Sequence, residues 1–184
     1  MEVKGVPLNA LKNFIKTRCG ENGFQKVLNA LSEEDRKIVG EDIMVSSWYD
    51  CDIFVRFANA MVKELFEGDE SILEEYAQWS VGRELRGIYQ IFVAFVSIES
   101  FINRSPAMFK SFYRGAECSA HIVVPKKAVA VFKGFQEHQR CIELIVKGWM
   151  KGAAERLGAK NCVAVISTAL KEGKGYFEIT ETWE

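Results

Sequence analysis

A chain of 184 residues with a formal net charge of −1 is long enough to bury a core without disulfides, and its charge argues against nucleic-acid binding. Hydrophobic residues make up 48% and charged residues 27%, which is globular composition and excludes a disordered chain. The longest apolar run, residues 91–96, is too short to span a bilayer, so we expect a soluble, cytoplasmic protein with no membrane span.

Short helices are predicted at the N-terminal end of the chain. Pro7 begins the first of them, and Gly20 can end it. A second helix is expected over residues 24–31. Ser32, which is followed three residues later by an acidic residue, predicts the N-cap of a brief third helix. Residues 40–49 are expected to form a loop.

Longer helices are predicted in the middle of the chain. Asp50 can cap a helix whose apolar residues recur at intervals of three and four. Another helix is expected to start near Ser71 and to continue toward Phe95, with a bend at a glycine. Pro106 is expected to divide the helical stretch that follows into two short pieces.

The pattern changes near residue 115 to strand, strand, helix, strand, strand. Residues 117–124 and 128–135 predict one hairpin, and residues 162–170 and 176–183 predict another. The longest helix without a predicted bend, residues 138–157, lies between the two hairpins. Its glycines Gly148 and Gly152 predict a close approach of the helix to the sheet, or alternatively room for a ligand.

These elements predict a single α+β domain over residues 1–184. Residues 1–114 are expected to form a helical cap, and residues 115–184 a ββαββ unit with a four-stranded antiparallel sheet. Both sides of the first hairpin are apolar, so we expect the long helix on one face of the sheet and the cap on the other.

Residue types that carry catalysis or bind metals are sparse in this sequence. The five cysteines are scattered without a C-x-x-C pair, which favours reduced thiols in the core and gives no metal site. His121 and His138 are the two histidines, and a structural role is favoured for each over heme ligation or base catalysis. No nucleophile, zinc or phosphate-loop motif occurs, so no catalytic residue is assigned.

Large aromatic side chains are candidates for the walls of a cavity between cap and sheet, although such residues at helical spacing more often form plain core. Arg83 and Arg86 lie three residues apart and could clamp an acidic group, although such pairs more often anchor neighbouring helices. The predicted ligand-binding residues are Arg83, Arg86 and Tyr89 at a polar end, and Trp48, Trp79, Phe109, Tyr113 and Trp149 as apolar walls.

Several short motifs resemble, in their order along the chain, a bacterial domain family of unknown function first catalogued in myxobacteria. They are residues 3–6, 28–36, 47–49, 83–89, 104–109 and 112–113. This family is similar to a superfamily that joins 4-vinyl reductase domains, heme-nitric-oxide/oxygen (H-NOX) domains and a subunit type of the TRAPP vesicle-tethering complex.

The resemblance implies a helical cap on a four-stranded antiparallel sheet, a cavity between them and a homodimer. In H-NOX members that cavity holds heme, and in the TRAPP type it holds an acyl chain. H-NOX proteins use a proximal His and a Tyr-x-Ser-x-Arg triplet. Residues 90–113 contain no His, and the triplet falls on Phe132, Gly134 and Gln136. We therefore expect no cofactor and regard heme as improbable.

The leading hypothesis from the sequence is a non-enzymatic sensory or adaptor domain that holds a small, largely apolar ligand and acts on a signalling protein. The second is a protein-interaction module with a filled core. A third is a heme or gas sensor of the H-NOX type that lacks the usual proximal His. An enzyme acting on a tetrapyrrole or aromatic substrate rests on family analogy alone.

Overall fold

The structure is a computed structural model that describes residues 1–84 and 97–184. Its helices are α1 (Gly5–Ala30), α2 (Glu33–Gly40), α3 (Cys51–Leu65), α4 (Ser71–Glu84), α5 (Ile98–Phe112) and α6 (Cys141–Arg156). Its strands are β1 (Glu2–Lys4), β2 (Trp48–Asp50), β3 (Tyr113–Arg114), β4 (Glu117–Val124), β5 (Lys127–Lys133), β6 (Val163–Thr168) and β7 (Tyr176–Thr182). Within these residues no helix combines the length and the hydropathy needed to cross a membrane.

The strands form two antiparallel sheets. The larger sheet has the order β4-β5-β7-β6, so the predicted four-stranded antiparallel sheet and the α+β class are confirmed. A smaller sheet has the order β2-β1-β3, with Val3 paired to both Tyr49 and Tyr113. It ties the N-terminus to the end of α5 and was not predicted, because β2 falls partly in the expected loop.

Within residues 1–84 and 97–184, helices cover one face of the four-stranded sheet and not the other. Phe132 of β5 and Phe177 of β7 are buried on the inward face, where the aromatic ring of Phe109 from α5 lies 5.3 Å from that of Phe132. On the opposite face Val163 and Val165 are about half exposed. The expectation that the cap covers the second face is therefore wrong, because α5 and α6 stack on the same side of the sheet.

The helix caps and breaks follow the sequence at some positions and not at others. The Ser32 hydroxyl accepts the Asp35 N–H as the predicted cap of α2. α1 bends at Gly20, whose φ of 71° interrupts the helix where its end was predicted. α5 continues through Pro106 without the predicted break, because the Ser105 hydroxyl donates to the Ile102 carbonyl that proline leaves without an N–H.

Two glycines of α6 bring it against α4 rather than against the sheet. A Cβ at Gly148 would lie 2.7 Å from the backbone Cα and O of Glu74, and one at Gly152 would lie 3.2 Å from the Cα of Gln78. The predicted close approach therefore exists, but its partner is a helix. The predicted continuation of α4 toward Phe95 lies outside the described residues.

Candidate functional site

An apolar cavity of about 100 Å³ lies where α4, α5 and α6 meet the inward face of the four-stranded sheet. Its described lining is dominated by aromatic, aliphatic and alanine side chains. The lining includes Phe101, Phe109, Ala128, Phe132, Trp149 and Ala154. Since ligand sites form preferentially where elements leave an enclosed apolar hollow, this cavity is the candidate site.

Small side chains account for the open space. Ala128 and Ala130 lie on the inward face of β5, and Ala120 lies beside them on β4. Ala154 of α6 is 3% exposed and faces the same space. Four alanines at positions that large apolar side chains would fill leave volume that the neighbouring helices do not close.

Aromatic side chains pack the cavity walls. Phe109 is stacked on Tyr113 with ring centroids 4.8 Å apart, and Phe132 is stacked on Phe177 at the same distance. The Phe101 ring lies nearly parallel to Trp149, with centroids 6.2 Å apart. These rings form apolar, shape-defining walls that favour a flat or fatty molecule.

Glu181 is an acidic residue in the lining of this apolar cavity. It occupies an inward-facing position of β7, two residues after Ile179, and is 3% exposed. Its Oε1 has no hydrogen-bond partner among the described residues. Burial, together with a smaller contribution from the nearby carboxylate of Glu155, raises the pKa of Glu181 to about 7. The carboxyl group therefore changes its charge near neutral pH.

Two hydroxyl groups in the lining, those of Tyr76 and Ser80, donate hydrogen bonds to backbone carbonyls. The Tyr76 hydroxyl donates to the Pro7 carbonyl at 2.9 Å, and the Ser80 hydroxyl donates to the Ala77 carbonyl at the same distance. These bonds fix the inner surface of α4 and link it to α1.

The described lining contains several atoms that could bind a metal. Besides the oxygens of tyrosine and glutamate, these are sulfur atoms. They belong to Met108, Met150 and Cys118. Burial raises the pKa of the Cys118 thiol to about 12, so it is a neutral thiol at neutral pH. No group of three His, Cys, Asp or Glu residues suited to a metal ion occurs within residues 1–84 and 97–184.

Neither histidine faces the cavity. His121 is exposed on β4, and His138 lies on the surface with its Nε2 3.1 Å from Asp52 Oδ1. A hydrogen bond from the side chain of Gln139, helped by His138, holds the pKa of Asp52 below its usual range. The described lining therefore contributes no imidazole.

Three of the predicted ligand-binding residues line the cavity: Phe109, Tyr113 and Trp149. Trp48, Trp79 and Arg83 are not in its described lining. Arg86 and Tyr89 lie outside the described residues.

The three residues that lie away from the cavity are engaged in cation–π contacts elsewhere. The ring of Trp48 in the small sheet lies under Lys4 Nζ at 4.3 Å. The exposed Arg83 guanidinium covers the Trp79 ring, also at 4.3 Å. The Arg83 guanidinium therefore contacts an indole outside the described lining of the cavity, and its role at a polar end of the site stays a prediction.

Glu181 was missed in the sequence, although a signal for it exists. In the last strand Phe177 and Ile179 alternate with polar residues, so the next inward position is 181. A glutamate in an inward row of apolar residues is the kind of local contradiction that points to a functional position.

Comparison with known proteins identifies the fold. No family profile matches the chain, and no curated protein is significantly similar to it. An H-NOX protein from S. oneidensis in the Fe(II)NO state superposes with a TM-score of 0.77 at 11% identity, over 98% of this chain and 99% of that one. The Fe(II) unliganded H-NOX protein from K. algicida gives 0.76 at 10% identity, over 98% and 96%.

A third solved structure, concerned with heme distortion in the H-NOX family, gives a TM-score of 0.74 at 11% identity, over 98% of this chain and 95% of that one. These similarities confirm that the chain has the fold of H-NOX domains, as the sequence predicted. Sequence identities near 10% support a conclusion about the fold and not about the function.

The expectation that the protein uses no cofactor, with heme improbable, is wrong for this fold. Its structural neighbours are H-NOX proteins described in iron-ligation states and in a study of heme. The missing histidine removes only one class of ligand, since cysteine, methionine and tyrosine also hold heme iron. The described lining contains each of these three residue types.

Proposed function

We propose that this chain is a sensory domain of the H-NOX type that holds a small molecule, or a gas-binding group, in the cavity between its helices and its sheet. The observation that supports this most directly is an apolar cavity of about 100 Å³ in a fold shared with H-NOX proteins over nearly the whole chain. A filled-core interaction module is disfavoured by that same cavity. Binding rather than catalysis is proposed, in keeping with a lining dominated by apolar side chains.

Heme is the first ligand to test, because the chemistry of the lining fits it in two respects. The apolar walls suit the body of a porphyrin, and Cys118, Met108 and Met150 present sulfur donors to the same space. When bound, heme supplies an iron that takes up a diatomic gas, as in the Fe(II)NO state of the S. oneidensis protein. Ligation by Cys118 requires loss of its thiol proton, since metals bind the thiolate.

The size of the cavity sets a condition on heme binding. Ligand pockets usually enclose roughly 300–1,000 Å³, whereas this cavity measures about 100 Å³. A macrocycle therefore has to part the walls, and the stacked rings of Phe101 and Trp149 are the wall that joins α5 to α6. A small apolar molecule, the second candidate ligand, fits without this rearrangement.

Titration with hemin tests the heme proposal. We expect a Soret band that saturates near one equivalent in the native protein. Ala154→Phe puts a ring into the cavity from α6 and is expected to weaken the band strongly. Ala107→Phe places the same ring on the exposed side of α5 and serves as the matched control. A band equally strong in all three proteins would mean surface adsorption and would contradict the proposal.

Apolar ligands that are not heme are tested on the same protein. Organic extraction of the freshly purified protein, followed by mass spectrometry, should release one compound in stoichiometric amount. Ala154→Phe should lose that compound and Ala107→Phe should retain it.

Three further parts of the proposal concern organisation. We propose that residues 1–184 act as one domain, that the protein is a homodimer, and that a signalling protein is its downstream partner. Membership of the myxobacterial family stays a prediction. Sedimentation equilibrium measures the dimer directly, and a monomer at all concentrations would contradict it.

A further inference from the structure

We propose that Glu181 is the anchor for a positively charged group, and that the ligand of the cavity is a small hydrophobic amine. This inference rests on the proposed function, since it concerns the same cavity, and it names the chemical class that the site recognises. It is carried by the position of one carboxyl group and by the chemistry of the surfaces around it.

The Glu181 side chain is buried at a position where the described residues leave one of its oxygens without a hydrogen bond. It is 3% exposed, it lines the cavity, and its Oε1 lacks a hydrogen-bond partner among the described residues. A buried polar group without a partner costs free energy, and an apolar side chain of similar shape at this inward position would avoid that cost. A ligand that donates to the carboxylate would remove the cost on binding.

Charges around the carboxyl group favour a cation over an anion or a neutral donor. Glu155 on α6 is close enough to raise the pKa of Glu181, so two carboxylates act on the same region. Lys151 pairs with Glu155 only loosely, at 3.9 Å. The described lining contains no Lys or Arg. Among the described residues no side chain supplies a positive charge to the cavity, and a cationic ligand would supply it.

The walls near Glu181 require the rest of the ligand to be apolar. Ala128 is its partner across the strands, and Ile98, Ile102 and Ala154 line the same cavity. A desolvated cavity strengthens the attraction between a carboxylate and an ammonium group, which are otherwise both well hydrated.

Size narrows the ligand class further. A cavity of roughly 150 Å³ lined by aliphatic and aromatic side chains is known to accept benzene, and the cavity here is of the same order, about 100 Å³. A single ring or short chain bearing one amine matches this volume.

Calorimetric titration with benzylamine, benzyl alcohol and toluene at pH 8 tests the inference. The three probes share a ring and differ in charge and in donor capacity. In the native protein we expect benzylamine to bind at least about tenfold more tightly than either neutral probe, as a charge-assisted hydrogen bond in an apolar site would give. Glu181→Gln should abolish that preference while toluene affinity stays the same.

Glu178→Gln is the matched control, because Glu178 lies on the same strand and its side chain pairs with the exposed Ser167 hydroxyl. It should keep the full preference for benzylamine. Glu181→Gln should remain folded, which the near-ultraviolet circular dichroism spectrum checks, since the change removes a buried charge.

Each other outcome has a definite meaning. Equal affinities for benzylamine and toluene, or a preference that survives Glu181→Gln, would overturn the role of Glu181 and leave the cavity as a ligand site. Benzyl alcohol binding as tightly as benzylamine would overturn the amine class. If all three probes fail to bind, with hemin failing as well, the amine inference and the proposed function fall together.

Discussion

Glu181 shows how one residue can depart from the pattern of its element. Inward positions of β7 hold Phe177 and Ile179, so the alternation predicts an apolar side chain at 181. The glutamate instead places a titratable group in the cavity. Its raised pKa makes the stability of the free protein depend on pH in a direction that can be measured.

The sign of that dependence follows from the protonation of the two states. Burial raises the pKa of Glu181 from 4.5 to about 7 in the folded protein. The folded state thus holds the proton more tightly than the unfolded state. The free energy of unfolding contributed by this group is therefore highest below pH 4.5, falls as the pH rises through this window, and stays low above pH 7.

Glu181→Gln is predicted to remove this loss of stability. At 1.36 kcal/mol per pKa unit, the variant should be more stable than the native protein by about 3 kcal/mol at pH 8 and nearly equal to it at pH 4.5. Urea unfolding at the two pH values measures the difference. Glu178→Gln should show no such divergence, and a native protein that gains stability relative to Glu181→Gln as the pH rises would contradict the assignment.

Among the helices and strands, some features could be predicted from neighbouring residues in the sequence and others could not. The caps at Ser32 and Asp50 were predictable because a cap involves neighbours within three residues, and Asp50 Oδ1 does accept the Asp52 N–H. The predicted helix break at Pro106 was wrong, since the Ser105 hydroxyl donates to the Ile102 carbonyl in place of the N–H that proline lacks. The small sheet of β1, β2 and β3 was not predictable, because its three short strands come from distant parts of the chain.

Contact between α4 and α6 depends on Gly148. Glycine spacing in α6 predicted a close approach, but periodicity alone does not say whether a helix or a sheet lies opposite. The structure identifies the backbone of Glu74 as the partner. Any side chain at position 148 forces the two helices apart, and both helices line the cavity.

Gly148→Ala is therefore predicted to destabilise the protein. A Cβ at 2.7 Å from backbone atoms of Glu74 cannot be accommodated by a side-chain rotation. The cost should be roughly 1–3 kcal/mol, as for other overpacked interfaces. Urea unfolding at pH 7 measures it.

Gly40→Ala, at the end of α2, is the matched control for this change. A Cβ there meets only Leu28 Cδ1 at 3.9 Å, which is ordinary contact. Its effect should lie within about 0.5 kcal/mol, as for other uncrowded surface positions. Equal effects of the two substitutions would contradict a tight contact between α4 and α6.

At the scale of the whole molecule, the arrangement of layers creates the site. In the part of the chain that the structure describes, the helices stack on one face of the sheet, and Val163 and Val165 on the outer face are about half exposed. The sequence predicted the α+β class, the four strands and the H-NOX-like fold. The class and the strands follow from the periodicity of apolar residues, and the fold resemblance follows from the order of short motifs. The sequence prediction misplaced the cap, since both faces of the first hairpin are apolar and the pattern does not say which face the helices take.

The site itself was only partly predictable. Phe109, Tyr113 and Trp149 were inferred as walls and do line the cavity, because large aromatic residues near a helix–sheet junction tend to face it. The alanines that leave the space open give no distinctive signal in a sequence. The exclusion of heme, which rested on the absence of a histidine in residues 90–113 and of the Tyr-x-Ser-x-Arg triplet, is contradicted by the heme-binding proteins that share this fold.

Methyl NMR on methionine-labelled protein tests the central claim, that the cavity is where the ligand binds. Met108 and Met150 line the cavity, Met61 is buried among the helices outside the described lining, and Met44 is exposed. On addition of hemin, or of toluene in a second sample, the methyl signals of Met108 and Met150 should shift or broaden while those of Met61 and Met44 stay unchanged. Unchanged Met108 and Met150 signals at saturating amounts of both compounds, or changes confined to Met44, would contradict the account.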